Sequence, residues 1–375
     1  MAARFLVIMA MGLAMAMARP ATALETPARE AILIDFDTGA VLFEKEADRL
    51  TPPASMTKMM TAFLAFRALK DETLRLDDTV TVSEKAWRKG GSKMFIEVNS
   101  RVTVEDILRG IVVQSGNDAA IALAEAMDGS EAAFAQRMTE VAAEIVMTNT
   151  VFRNATGWPD PQHRTTVRDL AQLAAETIRR FPKYYPLYQE TSFTYNKIRQ
   201  GNRNPLLYKN MGADGLKTGH TRAAGYGLAA SVKRGERRLI LVVNGLASVR
   251  QRASEAERLL EWGFRTFDNY DLFKKDEPVE KAAVWLGTAD SVPLVLAQDL
   301  RLTLPRRVWR KIKLTAVYEG PVTTPIRRGQ ELGQLRISGP GMPVINRPLL
   351  AGRDVDQLGV IKRIGAAISF LVWGE

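Results

Sequence analysis

The segment from Thr51 to Leu69 restricts the possible folds of this chain more than any other. Thr51 is a suitable N-cap, and Pro52 and Pro53 are tolerated in a first helical turn, so a helix is predicted from there. Its large apolar residues leave almost no polar face: Met56, Met59, Met60, Phe63, Leu64 and Phe66. A helix that is apolar all round is buried. The chain must therefore build a core around this helix.

Before this helix, Ala31–Asp35 and Ala40–Phe43 are apolar stretches separated by Asp37-Thr38-Gly39. The pattern predicts a β-hairpin with a glycine-containing turn. Asp-Thr-Gly also occurs in aspartic proteases, where two carboxylates share a proton. No second copy is present in this sequence, so the turn interpretation is favoured.

The middle of the chain is predicted to be helical, and the part after Gly215 to return to strands. Four helical stretches are Val104–Val113, Asp118–Met127, Glu131–Glu144 and Thr166–Arg180. A second hairpin is predicted from Gly225–Ser231 and Arg238–Val243, followed by an amphipathic helix over Glu255–Phe267. This order predicts a first domain over residues 24–275 of the α/β (α+β) class, with one sheet covered by helices.

The remaining sequence predicts a small all-β domain over residues 276–352. Asp271–Pro278 is charged and ends in proline, as expected of a linker. Short apolar runs then alternate with glycine and proline: Ala282–Leu286, Val292–Leu296, Lys313–Tyr318 and Leu332–Ile337. Residues 353–375 are predicted to form an amphipathic helix, whose uncharged stretch is too short to cross a bilayer. A helix in the membrane interface is favoured over one docked on its own domain.

The first 23 residues are predicted to be a signal peptide. Arg4 precedes the uncharged run Phe5–Ala18, and Ala21-Thr22-Ala23 fits the small-x-small cleavage rule. A membrane anchor is the alternative, but the run is short for one. Cleavage would lower the basic residues from 52 to 50 against 42 acidic ones, a net charge of +8. That charge favours anionic polymers or lipid surfaces, and no basic run with interleaved aromatics indicates nucleic acid.

Composition narrows the possible chemistry. The chain has no cysteine, which excludes disulfides and thiolate catalysis. It has two histidines, His163 and His220, so a multi-histidine metal site is excluded, although a carboxylate-only site is not. We predict neither a metal nor a cofactor.

The buried helix carries Ser55 and Lys58, and their spacing puts both side chains on one helical face. A serine hydroxyl is a weak nucleophile until a base takes its proton, and lysine is a base only when neutral. Burial and a second nearby cation both lower the pKa of a lysine. Ser-x-x-Lys alone is weak evidence, but a buried lysine is rare without a functional reason.

Two further motifs carry polar side chains. Ser115-Gly116-Asn117 follows a predicted helix, so it is either a helix-stop signal or a hydroxyl and amide that relay a proton and bind a carbonyl. Lys217-Thr218-Gly219 suits an edge strand that binds a terminal carboxylate, because Gly219 permits close approach of a ligand to the backbone. His220 follows, and a structural role for its ring is favoured over that of a base.

Together and in this order, the three motifs match the set known from penicillin-binding proteins and class A β-lactamases. The sequence closely resembles the low-molecular-weight penicillin-binding proteins, which are D-alanyl-D-alanine carboxypeptidases. The resemblance covers nearly the whole mature chain, including the stretch Ser115–Ala120, the stretch Lys217–Thr221, the strand-rich second domain and the amphipathic tail. It implies a transpeptidase-like first domain with an antiparallel sheet flanked by helices.

The resemblance also implies roles for individual residues. Ser55 would attack the carbonyl between two terminal D-alanines to form an acyl-enzyme, and Lys58 would accept its proton. Ser115 would pass a proton to the leaving D-alanine, supported electrostatically by Lys217. Asn117 would hold the substrate amide.

The remaining implied roles concern binding. Thr218, beside Gly219, would bind the terminal carboxylate, and the backbone N–H groups of Ser55 and His220 would form an oxyanion hole. Arg252 is a second candidate partner for the carboxylate. The implied partners are peptidoglycan pentapeptides, β-lactams as covalent inhibitors, and a membrane surface at the periplasmic side of the inner membrane.

Three alternatives remain at this point. A class A β-lactamase needs a glutamate for deacylation, and none lies between Glu144 and Glu176, which includes the corresponding loop, Asn154–Arg164. An endopeptidase acting on cross-links would use the same residues. A non-catalytic scaffold that holds cell-wall polymer is disfavoured because every required side chain is present.

Overall fold

The computed structural model of the protein describes residues 24–359. The strands of its first part are β1 (Glu30–Asp35), β2 (Val41–Lys45), β3 (Thr79–Thr81), β4 (Arg101–Thr103), β5 (Ser192–Tyr195), β6 (Ile198–Gly201), β7 (Ala213–Thr221), β8 (Gly225–Arg234) and β9 (Arg237–Leu246). The α-helices are α1 (Lys58–Lys70), α2 (Glu84–Arg88), α3 (Val104–Val112), α4 (Asn117–Asp128), α5 (Glu131–Glu144), α6 (Val167–Arg180) and α7 (Val249–Thr266). Short 3-10 helices span Ala54–Thr57, Tyr185–Gln189 and Pro205–Tyr208.

The centre of this part is an antiparallel sheet of five strands in the order β2-β1-β9-β8-β7. Side chains of β9 alternate between its two faces, as the period of a strand requires. Ile240 and Val242 pack into the core that contains α1, whereas Leu241 and Val243 pack with Leu259 of α7. The predicted class is confirmed: helices cover both faces of one antiparallel sheet.

The predicted central helix is confirmed in its burial but not in its first turn. Most side chains of α1, including Phe63 and Phe66, are buried. Thr51 is not its N-cap, because Thr51 exchanges backbone hydrogen bonds with Thr165. The cause is local, since a residue before proline is disfavoured in the helical region. The chain becomes helical only at Ala54, as a 3-10 turn that continues into α1 at Lys58.

The other predicted helices and hairpins of this part are confirmed, with one shift. The helix predicted from Glu255 begins six residues earlier, at Val249, where the Ser248 hydroxyl caps it by accepting a hydrogen bond from the Gln251 N–H. Arg252 therefore lies in the first turn of α7 and not before the helix.

The second part of the chain is all β, as predicted. Its strands are β10 (Phe267–Phe273), β11 (Pro278–Trp285), β12 (Ser291–Val295), β13 (Leu300–Pro305), β14 (Lys313–Tyr318), β15 (Val322–Thr323), β16 (Glu331–Ser338) and β17 (Ile345–Ala351), with a 3-10 turn at Trp309–Lys311. Six of them form a sheet in the order β14-β16-β17-β12-β11-β15. The predicted linker is wrong at its start, because Asp271–Phe273 belong to β10, which pairs with β13.

The pair β10–β13 joins the two parts of the chain. The Asn269 side-chain amide donates to Asp35 Oδ1 at 3.1 Å, and the hydroxyls of Thr303 and Thr38 are hydrogen-bonded. Asp35 is fully buried and also pairs with Arg237 at 2.9 Å. The second domain is therefore attached at the β1–β2 hairpin, at one edge of the central sheet.

The predicted C-terminal helix is wrong in its first residues. Asp354–Gly359 are not helical, because Val355 and Gln357 form isolated β-bridges with Ile326 and Gly287. The rest of that helix and the predicted signal peptide lie outside the described residues. Within residues 24–359, no helix has the length and apolarity to cross a membrane.

Candidate active site

Ser55 lies in the 3-10 turn that precedes α1, and two glycines allow the surrounding chain to close on this turn. A Cβ at Gly157 would lie 1.8 Å from the carbonyl oxygen of Ala54, and Gly157 has a φ of +80°. A Cβ at Gly219 would lie 3.0 Å from the carbonyl oxygen of Pro53. A Cβ would clash outright at Gly157, and at Gly219 it would require its neighbour to shift by a few tenths of an ångström. The turn with Ser55 is thus held between β7 and the loop that contains Gly157.

The Lys58 side chain is fully buried and lies one residue beyond this turn. Its Nζ is 3.3 Å from Ser55 Oγ, and it donates to Asn117 Oδ1 and to the Thr156 carbonyl, both at 2.7 Å. Burial lowers the pKa of Lys58 from 10.5 to about 7, assisted by Arg203 and Lys89 against the opposing effect of Asp118 and Glu131. A substantial fraction of this amine is neutral near pH 7 and able to accept the Ser55 proton.

Ser115 and Asn117 approach the same centre from the junction of α3 and α4. Ser115 has a φ of +66°, which is uncommon for a residue other than glycine. Its hydroxyl is buried and has no hydrogen-bond partner among the described residues. Asn117 donates through Nδ2 to the Gly90 carbonyl at 2.8 Å, which aims Oδ1 at Lys58. The Ser115-Gly116-Asn117 motif therefore lies at a helix boundary, and it also brings two polar side chains to Lys58 and its surroundings.

Lys217 lies on β7, which is the edge strand of the sheet, as its sequence predicted. The ammonium group is buried, and among the described residues it donates a hydrogen bond to the Thr218 carbonyl at 3.3 Å. Burial lowers the pKa of Lys217 well below its usual value, and the nearby cations Lys58, Arg203 and Arg252 lower it further. A buried group of cations favours an anionic ligand, because an anion stabilises their charged forms.

The other predicted binding residues lie beside Lys217. Thr218 is buried next to it on β7, and Arg252 is buried in α7 with its Nε unpartnered among the described residues. The guanidinium of Arg252 lies 5.9 Å from the ring centre of Tyr226. The ring of His220 is exposed and stacks on Tyr226 with centroids 4.0 Å apart.

Two residues of this site were missed in the sequence. Arg203 lies close enough to lower the pKa of both Lys58 and Lys217, and it donates to Ser92 Oγ at 2.6 Å. A lone arginine before a 3-10 turn carries no local signal for such a role. Asn154 is the other, and its position in Asn-x-Thr-Gly is a turn signal that the sequence does show.

Asn154 organises the loop that covers Lys58. Its Oδ1 accepts hydrogen bonds from the backbone N–H of Thr156, Gly157 and Trp158 at 3.2, 2.8 and 3.0 Å, and from the Thr156 hydroxyl at 3.0 Å. This arrangement turns the Thr156 carbonyl toward Lys58. The loop supplies a backbone oxygen to the lysine, and no glutamate occurs between residues 145 and 175.

His163 has a structural role. Its Nε2 is 2.9 Å from the hydroxyl of Thr57, and burial lowers its pKa to about 4, so the ring is neutral at physiological pH. Residues 24–359 contain no group of three or more histidine, cysteine or carboxylate side chains placed to hold a metal ion.

Comparison with known proteins agrees with this geometry. Residues 15–248 match the family model for D-alanyl-D-alanine carboxypeptidases, and residues 267–357 match that for the C-terminal domain of penicillin-binding protein 5. The D-alanyl-D-alanine carboxypeptidase DacC of Escherichia coli is 39% identical over 345 residues, which cover 90% of this chain and 86% of the relative.

Two crystal structures extend the comparison. Penicillin-binding protein 5 of Haemophilus influenzae superposes with a TM-score of 0.81 at 35% identity, covering 90% of this chain and 99% of its own. Penicillin-binding protein D2 of Listeria monocytogenes, in its ampicillin-bound form, gives a TM-score of 0.59 at 30% identity, covering 64% of this chain and 99% of its own. By sequence and by fold, this chain belongs to the D-alanyl-D-alanine carboxypeptidase family.

Proposed function

We propose that the protein is a serine-type D-alanyl-D-alanine carboxypeptidase that removes the terminal D-alanine from peptidoglycan pentapeptides. The observation that carries the proposal is the buried Lys58 amine, with a pKa of about 7, at 3.3 Å from Ser55 Oγ. A buried amine this close to a hydroxyl supplies a general base where the nucleophile is.

The reaction proceeds in two stages. Ser55 Oγ attacks the carbonyl carbon between the two D-alanines, and its proton moves to Lys58. The C–N bond then breaks, and a proton delivered through the unpartnered Ser115 hydroxyl leaves with the D-alanine amine. Water next attacks the resulting ester, which releases the shortened peptide and restores the Ser55 hydroxyl.

Substrate binding is assigned to the groups around β7. The terminal carboxylate lies against Lys217, Thr218 and Arg252, where burial and like charge favour an incoming anion. Asn117 holds the amide of the substrate. The backbone N–H groups of Ser55 and His220 bind the oxyanion, an interaction that in other enzymes contributes about 3 to 4 kcal/mol per donor.

β-Lactams are expected to acylate Ser55 as covalent inhibitors. A β-lactam presents an amide and a carboxylate to the same set of groups as the peptide, and the related Listeria protein has been crystallised with ampicillin. A β-lactamase role is not favoured, because the loop at Lys58 offers the Thr156 carbonyl where a class A enzyme needs a glutamate and its water.

The protein is proposed to act outside the cytoplasmic membrane. The sequence of residues 1–23 supports a signal peptide, and the amphipathic sequence after Gly359 supports attachment to the membrane surface. Truncation after Gly359 keeps the β-bridges of Val355 and Gln357, so it separates attachment from folding. The truncated protein should leave the membrane fraction and keep its activity; retention there would contradict the attachment.

The function is tested by the release of D-alanine. Mass analysis of a pentapeptide ending in D-Ala-D-Ala should show loss of one alanine with the wild type and none with Ser55→Ala. Fluorescent penicillin should label the wild type covalently and leave Ser55→Ala unlabelled. Release by the Ser55→Ala variant, or labelling of it equal to that of the wild type, would contradict the nucleophile assignment.

A further inference from the structure

The proposed function requires two backbone N–H groups that lie on different segments of the chain. The N–H of Ser55 belongs to the 3-10 turn before α1, and the N–H of His220 belongs to the edge strand β7. Both must point to one oxygen, and an oxyanion hole is effective because its donors are held in place before the reaction. Contacts that fix the two segments relative to each other therefore bear directly on the rate.

Glu30, the first residue of β1, reaches the first segment through Asn244. Both side chains are buried, and the two residues lie opposite each other in the pairing of β1 with β9. Asn244 Nδ2 donates to Glu30 Oε2 at 3.2 Å and to Thr51 Oγ1 at 2.9 Å, so the carboxylate fixes which end of the amide faces Thr51. Two prolines follow Thr51, and their restricted φ angles limit how far Ser55 can move relative to it.

Arg29, directly before Glu30, reaches the second segment. Its Nη2 donates to the backbone carbonyls of Ala223 and Ala224 at 2.9 and 2.6 Å, and both residues belong to the turn between β7 and β8. The side chain can take this path because residue 245 is a glycine: a Cβ on Gly245 would lie 2.3 Å from Arg29 Nε. Two consecutive side chains at the beginning of β1 therefore connect to the two segments that carry the oxyanion donors.

We propose, on the basis of the proposed function, that Arg29 and Glu30 are positioning residues that hold the two halves of the oxyanion hole at a fixed separation. Each acts through another group: Glu30 through the Asn244 amide, and Arg29 through the carbonyls of the β7–β8 turn. Neither is among the charged groups that shift the pKa of Lys58 or Lys217. Their loss should therefore weaken stabilisation of the transition state and leave the base and substrate binding unchanged.

Arg29→Met tests the contact with the β7–β8 turn at little risk to folding, because the Arg29 side chain is 43% exposed. Methionine keeps an unbranched stem and has no donor. We expect kcat for release of D-alanine from a pentapeptide to fall about fivefold to twentyfold, with KM within about twofold and the pH midpoint of acylation unchanged.

Arg49→Met is the matched control for Arg29→Met. The Arg49 side chain is 57% exposed and its Nε lies 3.8 Å from Glu30 Oε1, nearly the same distance as that of Arg29 at 3.9 Å. Within residues 24–359, however, the Arg49 side chain makes no hydrogen bond to the turn after β7. The control removes the same charge beside Glu30 and should keep the wild-type kcat.

Glu30→Leu and Thr51→Val test the contact with the other segment. The first removes the acceptor that orients the Asn244 amide, and the second removes the hydroxyl that the amide binds while keeping the shape of the side chain. Both should lower kcat about fivefold to twentyfold at an unchanged KM, and Glu30→Gln, which keeps an acceptor oxygen, should stay within about threefold of the wild type. Thr177→Val is the control, because it removes an equally buried hydroxyl that donates to the Leu173 carbonyl within α6.

Unchanged kcat in either Arg29→Met or Thr51→Val would contradict the proposal. So would a loss of the same size in the two control variants, or a rise in KM or a shifted pH midpoint in place of the loss in kcat. The rate of labelling by fluorescent penicillin gives the same comparison without the peptide. If the wild type releases no D-alanine, the proposed function fails, and the labelling rates still decide whether Arg29 and Glu30 position the site.

Discussion

The carbonyl oxygen of Thr156 lies 2.7 Å from the Nζ of Lys58, so a loop almost a hundred residues away in sequence holds the buried amine. Asn117 holds the same nitrogen from a second direction at 2.7 Å. With two acceptors engaged, the nitrogen has little freedom, and Ser55 Oγ lies within reach at 3.3 Å. The position of this nitrogen therefore depends on a backbone carbonyl from a distant loop as well as on Asn117.

Asn154→Ala should slow acylation by β-lactams about tenfold to a hundredfold, because it removes the acceptor that shapes this loop and frees the Thr156 carbonyl. Asn154→Asp retains an oxygen at the same place and should keep most of the rate. Rates of labelling with fluorescent penicillin measure both, together with the pH midpoint of acylation. If the two variants lose activity equally, the acceptor oxygen is not what positions Thr156.

Acylation should depend on pH through Lys58. Its pKa is about 7, and the neutral amine is the active form, so the rate rises as pH increases through 7 and then levels off. Below the midpoint, the rate should fall about tenfold per pH unit. Lys58→Arg keeps the charge and cannot lose it in this range, so acylation should be abolished. A wild-type rate that is flat between pH 5 and 9 would contradict the assignment of Lys58 as the base.

Arg252→Gln tests the carboxylate site. Within residues 24–359, the buried Nε of Arg252 has no hydrogen-bond partner, and Arg252 lies close enough to Lys217 to lower its pKa. Its loss should raise KM about tenfold for a peptide that ends in a free carboxylate. A peptide with an amidated end lacks the anion, so the wild type and the variant should turn it over at equal, low rates. A variant that affects both peptides alike would show that Arg252 supports the fold and not the carboxylate.

Gly157→Ala should impair both stability and acylation. A Cβ there meets the Ala54 carbonyl at 1.8 Å at a backbone φ of +80°, so the turn with Ser55 must move. We expect a loss of about 2 to 3 kcal/mol in the free energy of unfolding and at least a tenfold slower acylation.

Gly129→Ala is the control for Gly157→Ala. Gly129 has a φ of +72° with no atom within 4 Å of its built Cβ, so it isolates the backbone strain. It should cost about 1 kcal/mol and leave acylation unchanged. Denaturant unfolding and penicillin labelling compare the two variants, and equal acylation by both would remove the role given to the Gly157 contact.

Local patterns predicted local structure well. Helix α5 and strand β14 have the predicted bounds, because the signals for each are local: a helical period after the N-cap Ser130, and a short apolar run. The prediction of a helix directly after Asp354 was wrong because it depended on a distant partner. The residues there have a helical period, but Val355 forms a β-bridge with Ile326, which no local pattern reveals.

The residues of the candidate site likewise fall into those that belong to a local motif and those that only tertiary structure brings together. The sequence predicted Ser55, Lys58, Asn117 and Lys217 as site residues because each belongs to a short motif. The structure brings the first three into hydrogen-bonding distance. Arg203 has no motif, and its influence on both lysines arises only from tertiary proximity. The lowered pKa values of Lys58 and Lys217 likewise depend mainly on how deeply each amine is buried, and a sequence does not give the depth of burial.

The attachment of the second domain has a mechanical consequence. It is joined at the β1–β2 hairpin, whereas Lys217 lies on β7 at the other edge of the sheet, about 19 Å away across five strands. The second domain therefore contacts the edge of the sheet that is farthest from the candidate site on β7. A surface that binds the second domain would contact the protein at the opposite edge of the sheet from Lys217, so it would leave the cleft at β7 accessible to a large substrate.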